Sequence, residues 1–314
     1  MKPQLLGNQI EPVDAPPIDC RSFEITLFTV PKPFEKPFGD GNNATDMIQR
    51  NAIESWRQLS PVLNVLVLGD EPGIKETAAA IGVRHVSGLE RNEHGTPMLS
   101  SAFQLAHQHS PSPLLMYCNC DVILEPKFLD AIEYIDQSPL RDSFVAFGRR
   151  LDVPIDWELR LDQPHDRDRF RNAVESLGKS APVVCKEYFV FPRALYSSIP
   201  DFAVGRGNWD NWMIWHARDQ GIPAVDLSDQ VQVVHQNHDY RHQKNSRGIS
   251  YVSGAEAKEN ERLAGGRHVI SGSSGTWRLT QRGLRKTAWP NLNWNFWRDL
   301  PRFARLLAEL VLKR

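Results

Sequence analysis

The segment Asn119-Cys120-Asp121 follows an apolar run, Leu114–Cys118, that is typical of a buried strand. Because successive side chains of a strand point to opposite faces, Asn119 and Asp121 are expected to point the same way. An amide oxygen beside a carboxylate at a strand end can bind a hard divalent cation, and phosphate oxygens can complete its coordination. The alternative is a polar strand end followed by a turn. The segment therefore indicates a cation site suited to chemistry on a diphosphate.

A second group of candidate ligands lies later in the chain. His235, His238 and His242 occur within eight residues and follow a predicted strand at 231–235. Imidazole nitrogens bind divalent metals and can also contact phosphate. A zinc site is one alternative, although no clear further pair of ligands completes it, and a polar loop without a ligand is another. The spacing predicts that this group of histidines supplies a metal ligand or a phosphate contact.

Two arginines, Arg149 and Arg150, follow a predicted strand at 144–147. A guanidinium can hold a diphosphate through paired N–H donors, so Arg149 is a candidate for such binding. The alternative is an ion pair between one of these arginines and Asp152 or Asp156.

The elements that must position these residues alternate along the first half of the chain. Apolar runs predict strands at 25–30, 62–68, 83–86 and 114–118. Helical spacing of apolar residues predicts helices at 46–59, 73–81, 96–108 and 126–135. Apolar strands alternating with helices indicate an α/β fold whose mainly parallel sheet is covered on both faces. Ligands bind such sheets outside the carboxyl ends of the strands, where Thr29, Asp70, Asn119 and Asp121 all lie.

The pattern changes after residue 136. Strands are predicted at 144–147, 186–191 and 231–235, a helix at 209–218, and a short helix at 255–263. The polar segment 152–179 is either an excursion or a loop. The predicted division is a tail over 1–20, an α/β domain over 21–245 and a C-terminal extension over 246–314.

Composition narrows the class of protein. The 314 residues are 41% hydrophobic and 24% charged, with a net charge of −1, which gives no indication of nucleic-acid binding. The four cysteines form no disulfide framework in a chain of this length, so a reducing compartment is expected. The first residues lack the apolar core of a signal peptide or membrane anchor, and a cytoplasmic location is therefore expected.

The order of these features resembles the GT-A class of nucleotide-sugar glycosyltransferases, especially the inverting, family 2-like members, over about residues 23–240. The resemblance implies a Rossmann-like fold, with a nucleotide-binding half over about 21–136 and an acceptor half over about 137–245. It also implies a metal-binding Asp-X-Asp motif after the fourth strand, which matches Asn119 to Asp121 here. Asn replaces the first Asp, which removes one negative charge and leaves a strict metal requirement open.

The resemblance also assigns roles in donor binding. Thr29 would line the nucleobase pocket, and Asp70 would accept a hydrogen bond from the base or the ribose. Asn119 and Asp121 would contact the donor, beside the donor contact predicted for Arg149 from its place after a strand. A late histidine, His235 or His238, would complete the coordination of Mn²⁺ or Mg²⁺ beside Asp121.

For the acceptor side, the resemblance places the catalytic base at Asp210, at the start of a helix. One carboxylate there would accept the proton of the acceptor hydroxyl as that oxygen attacks the anomeric carbon. Trp209 and Trp212 would stack on sugar rings. The alternatives are that Asp210 caps the helix and that both tryptophans belong to the core.

The C-terminal segment is basic and aromatic, with eight Lys or Arg and two acids over 281–314. An amphipathic helix is predicted at about 299–313. It would either lie on an anionic membrane surface or pack on the domain. In the first case the protein would be peripheral on the inner face of the membrane, and its acceptor would be a lipid-linked or membrane-proximal glycan.

Two other functions fit parts of the sequence. A sugar nucleotidyltransferase shares the Rossmann-like half but normally has a Gly-rich basic loop after the first strand, where this chain has residues 30–34 (VPKPF). A non-catalytic carbohydrate-binding or membrane-associated protein of the same fold would be consistent with Asn119. The predicted function is transfer of a sugar from a nucleoside diphosphate sugar to a hydroxyl acceptor.

Overall fold

The computed structural model describes residues 21–35, 44–181, 185–238, 254–266 and 274–287. Its first half alternates strands and helices. The strands are β1 (Ile25–Thr29), β2 (Leu63–Leu68), β3 (Arg84–Val86), β4 (Leu114–Cys118) and β5 (Val122–Ile123). The helices are α1 (Ala44–Arg57), α2 (Ile74–Ile81), α3 (Leu99–His109) and α4 (Pro126–Asp136).

The second half contains more strands. These are β6 (Val145–Phe147), β7 (Arg150–Val153), β8 (Lys179–Ser180), β9 (Tyr188–Pro192), β10 (Ala224–Asp226), β11 (Val233–Gln236), β12 (Trp277–Thr280) and β13 (Gly283–Lys286). The helices are α5 (Pro164–Leu177), α6 (Trp209–Asp219) and α7 (Ala255–Leu263). Within the described residues, no helix is both long and apolar enough to cross a membrane.

One nine-stranded sheet runs through the molecule in the order β13-β12-β10-β6-β9-β4-β1-β2-β3. The neighbours β3, β2, β1 and β4 are parallel, and so are β6, β10 and β12. Among the described strands of this sheet, only β9 and β13 run antiparallel to their neighbours. The carboxyl ends of β1, β2 and β4 therefore lie at one edge of the sheet. The predicted Rossmann-like α/β fold with a mainly parallel central sheet is confirmed.

Helices cover both faces of this sheet. On one face α1, α2 and α4 pack in an apolar cluster that includes Ile25 and Leu27 of β1. On the other face α3 and α6 pack in a second cluster with Phe28. Because neighbouring strand residues point to opposite faces, a strand buried on both sides is mainly apolar, and all five β1 residues are buried. The hydroxyl of the buried Thr26 donates to Oγ of Ser112 at 2.9 Å.

A smaller four-stranded sheet, in the order β5-β11-β7-β8, lies beside the large one. Since β4 ends at Cys118 and β5 begins at Val122, residues 119–121 connect the two sheets. In the smaller sheet His235 of β11 lies opposite both Val122 of β5 and Asp152 of β7. This register brings a histidine from late in the chain to the segment that follows β4.

The polar segment 152–179 contains α5, which buries only Phe170 and Ala173. The helix predicted at 255–263 is present as α7. Beyond it, β12 and β13 extend the large sheet past residue 245, where the sequence predicted the domain to end. The division of the chain into domains stays a prediction. The tail over 1–20 and the amphipathic helix at 299–313 lie outside the described residues.

Candidate active site

The first part of the candidate site is the connection between the two sheets, residues 119–121. Asn119 continues the β4–β9 pairing, because its backbone N–H donates to the carbonyl of Glu187 at 3.0 Å. Two residues later, Asp121 directly precedes β5 and so faces β11. Strand β4 of the large sheet thus positions residues 119–121, and the small sheet places other residues next to them.

Asp121, His235 and His238 form a compact group, called the cation triad below. One ligand atom of each lies within 4.8 Å of the others. The Nε2 atoms of His235 and His238 are 3.5 Å and 3.2 Å from Oδ2 of Asp121. The other carboxylate oxygen, Oδ1, is buried without a hydrogen-bond partner among the described residues. One carboxylate and two imidazoles with an unused buried oxygen fit a divalent cation.

Electrostatics couple the protonation of Asp121 to that of His235. Burial alone would raise the pKa of Asp121, but hydrogen bonds and charge from His235 and His238 hold that pKa well below its ordinary value. Burial alone would lower the pKa of His235, yet the hydrogen bond and charge of Asp121 raise it. Asp121 therefore stays ionised at neutral pH, and a cation at Nε2 of His235 would compete with the proton that Asp121 favours there.

A chain of ionic contacts extends behind His235. Its Nδ1 lies 2.9 Å from Oδ1 of Asp152, which also forms an ion pair with Nε of Arg150 at 2.9 Å. Arg150 in turn pairs with Glu187, and Oε2 of Glu187 accepts the side-chain amide of Asn119 at 2.5 Å. The ion pair of Arg150 with Asp152, which the sequence offered as the alternative to diphosphate binding, is confirmed for this arginine.

Glu187 was not among the residues identified from the sequence. It is 7% exposed and directly precedes β9, whose five residues are all buried. The signal that could have found it is a charged pair, Lys186-Glu187, at the start of an apolar run. Lys186 is buried as well, and this burial lowers the pKa of its amine, while the charges of Asp210 and Asp226 raise it.

Asp210 lies in the first turn of α6, which Asn208 precedes with a left-handed backbone (φ 81°). Burial raises the pKa of the half-buried Asp210 carboxyl to about 6, although the charge of Lys186 lowers it. The side-chain amide of Asn211 donates to its Oδ1 at 3.0 Å. Asn208 occupies the N-cap position of this helix, but the Asp210 carboxylate accepts the backbone N–H of Asn211 within the first turn, so a role in stabilising the helix start has support too. A carboxyl with this pKa suits proton transfer near neutral pH.

Three further residues that the sequence predicted for the site, Thr29, Asp70 and Arg149, do not belong to the cation triad. Thr29 is completely buried, so its position does not support the predicted contact with a nucleobase. Asp70 is exposed and accepts the backbone N–H of Gly88 at 2.8 Å. Arg149 is half-buried, its backbone N–H donates to Oγ of Ser228 at 2.8 Å, and it forms no ion pair with any described residue.

Trp209 and Trp212 belong to the core rather than to an open acceptor surface. Trp209 packs edge-on against Tyr117, with ring centroids 5.0 Å apart. Trp212 stacks on His216 at 4.5 Å. Both tryptophans are buried. Because their faces are covered by protein, the alternative that both are core residues replaces the predicted stacking on sugar rings.

Comparisons with known proteins give a distant likeness. No protein-family model and no curated protein matches the chain. Among solved structures, glucosyl-3-phosphoglycerate synthase from Mycobacterium tuberculosis with Mg²⁺ and uridine diphosphate has 14% identity and a TM-score of 0.44, over 78% of this chain and 80% of that chain. The same enzyme with Mn²⁺, uridine-diphosphate-glucose and phosphoglyceric acid has 14% identity and a TM-score of 0.43, over 78% and 81%. A protein from Desulfovibrio desulfuricans G20, provisionally named a nucleotide-diphospho-sugar transferase, has 14% identity and a TM-score of 0.39, over 77% and 97%.

Proposed function

We propose that this protein is a glycosyltransferase that moves a sugar from a nucleoside diphosphate sugar to a hydroxyl acceptor. The observation that carries the proposal is the cation triad, Asp121, His235 and His238, beside the carboxyl edge of a mainly parallel sheet. That edge is where sheets of this kind bind nucleotides. The chemistry also needs a carboxylate that can accept a proton, and Asp210 supplies one.

The cation triad would hold Mn²⁺ or Mg²⁺. When bound, such an ion stabilises the negative charge that develops on a leaving diphosphate. Asp121 supplies the one carboxylate of the triad, while His235 and His238 supply neutral ligands in their deprotonated form. The unused Oδ1 of Asp121 is the atom that gains most from a cation, because it is buried and has no hydrogen bond among the described residues.

Asp210 would act as the general base of the transfer. With a pKa of about 6, its carboxylate is mostly ionised at pH 7 and can still accept the proton of an acceptor hydroxyl. The buried Lys186 lies within range of its charge and favours the ionised form. In this proposal the new glycosidic bond forms as Asp210 takes the hydroxyl proton and the diphosphate leaves.

The proposed setting of the reaction is the cytoplasm. Cys118, Cys120 and Cys185 are free thiols, as a reducing compartment allows. Attachment to the inner face of the membrane through residues 299–313, and with it a lipid-linked or glycan acceptor, is part of the proposal that only the basic, aromatic composition of the C-terminal segment supports.

Calorimetry with a panel of nucleotide-sugars, with and without Mn²⁺, tests the proposed function. A transferase should bind one donor tightly only with Mn²⁺ and hydrolyse it slowly. Binding of a sugar phosphate together with a nucleoside triphosphate would instead identify a nucleotidyltransferase. Failure to bind any nucleotide would contradict both enzymes and leave a non-catalytic protein.

Replacing Asp121 gives a sharper prediction. Asp121→Ala removes the only carboxylate of the cation triad, so Mn²⁺ binding and turnover should both be lost. The measurement is Mn²⁺ calorimetry together with donor turnover and a melting curve that confirms folding. Asp201→Ala is the matched control, because Asp201 is an exposed acid outside the triad. Unchanged turnover in Asp121→Ala would rule out the assignment.

A further inference from the structure

At position 119 this chain has asparagine where the Asp-X-Asp pattern has aspartate. The side chain of Asn119 contacts Glu187. Residues 119 and 187 adjoin the last registered pair of β4 and β9, Cys118 opposite Tyr188. The backbone N–H of Asn119 donates to the Glu187 carbonyl at 3.0 Å, and its side-chain Nδ2 donates to Oε2 of Glu187 at 2.5 Å. The two residues are therefore joined through both backbone and side chain.

The contact fixes which way the amide of Asn119 points. A carboxylate only accepts hydrogen bonds, so the Asn119 amide must present its NH₂ group to Glu187. The carbonyl oxygen Oδ1 then points away from Glu187. Among the described residues no hydrogen bond reaches this oxygen. It is an oriented acceptor two residues from Asp121.

The same contact excludes a carboxylate at position 119. Glu187 is 7% exposed and its negative charge is paired with Arg150. Arg150 is already shared with Asp152. An aspartate in place of Asn119 would set a second, half-buried carboxylate against the buried Glu187, and like charges at this distance repel.

We propose that Glu187 is a positioning residue: it holds the Asn119 amide with its carbonyl oxygen toward the cation triad, and it makes a neutral amide the required residue at position 119. The inference deepens the proposed function, since it names a residue that shapes the same cation site. The ionic chain from Glu187 through Arg150 and Asp152 to His235 closes a ring around that site, because His235 contacts Asp121, two residues from Asn119.

The pairing is tested by thermal melting of four proteins: the natural chain, Asn119→Asp, Glu187→Gln and the double variant. Asn119→Asp should lower the melting temperature by several degrees, because two carboxylates then face each other. Adding Glu187→Gln should restore most of that loss, since the amide introduced at position 187 can donate to the new carboxylate. Full tolerance of Asn119→Asp, or no recovery in the double variant, would overturn the pairing.

The positioning role is tested by calorimetry with Mn²⁺ alone. Glu187→Gln should weaken Mn²⁺ binding about tenfold in the natural chain, the scale seen for partners of metal ligands. It should weaken binding less than about threefold when Asn119 is already replaced by alanine, because Glu187 acts through the Asn119 amide. Equal losses in both backgrounds would show that Glu187 acts independently of Asn119 and would refute the positioning role.

Neither measurement uses a nucleotide or a sugar, so the two proposals fail in different ways. Absence of Mn²⁺ binding by the natural chain would contradict the cation site and, with it, the positioning role. The melting series would still decide whether Glu187 excludes a carboxylate at position 119. Conversely, a protein that binds Mn²⁺ and shows the predicted coupling but binds no donor would refute only the transferase.

Discussion

Asp121 lies next to two histidines, His235 and His238, that come more than a hundred residues later in the sequence. His235 also contacts a second carboxylate, because its Nδ1 lies 2.9 Å from Oδ1 of Asp152. With a cation bound, this contact would hold the proton on Nδ1 and leave the Nε2 lone pair for the ion. A carboxylate behind a ligand histidine both orients the ring and increases its basicity.

Asp152→Asn should therefore weaken Mn²⁺ binding about tenfold to a hundredfold without removing any residue of the cation triad. The loss arises because an amide stabilises the required tautomer of His235 less well than a carboxylate does. Mn²⁺ calorimetry measures the effect. Asp156→Asn is the control, since Asp156 is an exposed acid three residues beyond β7. Equal Mn²⁺ affinity in the two variants would contradict this role of Asp152.

The second prediction at this scale concerns pH. A general base works only when deprotonated, so a carboxyl with a pKa of about 6 should give a transfer rate that rises with pH through about 6 and levels off above it. The measurement is the pH profile of kcat at saturating Mn²⁺ and donor. A profile that stays flat from about pH 5 to 8 would contradict Asp210 as the base.

Asp210→Asn separates the base from the helix cap. Asparagine caps helices about as well as aspartate, so stability and donor affinity should change little. The transfer rate should fall about a hundredfold or more, because amides do not accept the proton. Equal losses of donor affinity and rate would instead support the capping alternative.

At the scale of elements, α7 holds together two loops next to the site. Glu256 accepts hydrogen bonds from Asn92 at 2.8 Å and from Arg206 at 2.7 Å. On the buried side of the helix, Asn260 accepts the backbone N–H of Ala203 at 2.8 Å and donates to the carbonyl of Gly207 at 3.3 Å. The segment that leads into Asp210 is thus fastened to a helix from beyond residue 245.

Asn260→Ala should lower the free energy of unfolding by about 1–3 kcal/mol, because it leaves buried backbone groups of Ala203 and Gly207 without partners. It should also reduce the transfer rate, since the segment before Asp210 loses its anchor. Urea unfolding and steady-state kinetics measure the two effects. Lys258→Ala, on the exposed side of the same helix, should change neither. A fully stable Asn260→Ala variant would show that α7 does not anchor this loop.

At the scale of the whole molecule, α1 connects the layers. Its Trp56 is completely buried in the cluster that covers one face of the large sheet. The Nε1 of the same residue donates to the carbonyl of Val122 at 2.9 Å, in the smaller sheet. Trp56 therefore links the helix layer over the large sheet to the smaller sheet, one residue from Asp121.

Trp56→Ala should destabilise the protein by about 3–5 kcal/mol, the usual cost of removing a large buried side chain. Trp56→Phe keeps most of the volume but leaves the Val122 carbonyl unpaired, so about 1–3 kcal/mol is expected. Urea unfolding measures both. Leu177→Ala is the control, because Leu177 is 49% exposed and its loss should cost little. An effect of Trp56→Ala no larger than that of Leu177→Ala would contradict the connecting role of Trp56.

The sequence by itself determined the fold class, because hydrophobic periodicity is a local property that each strand and helix carries in its own residues. It also predicted residues of the candidate site: Asp121 after a buried strand, the histidines at 235 and 238, and Asp210 at the start of a helix. It could not find β12 and β13, since these short strands bury few residues and depend on pairing with β10.

Only the tertiary structure decided which residues meet. The small sheet sets His235 against Asp121, and the β4–β9 pairing sets Glu187 against Asn119, both through register between segments distant in sequence. Trp209 and Trp212 could have faced a sugar or the core, and packing against Tyr117 and His216 placed them in the core. Such contacts are decided by long-range pairing and burial, for which the local sequence carries no signal.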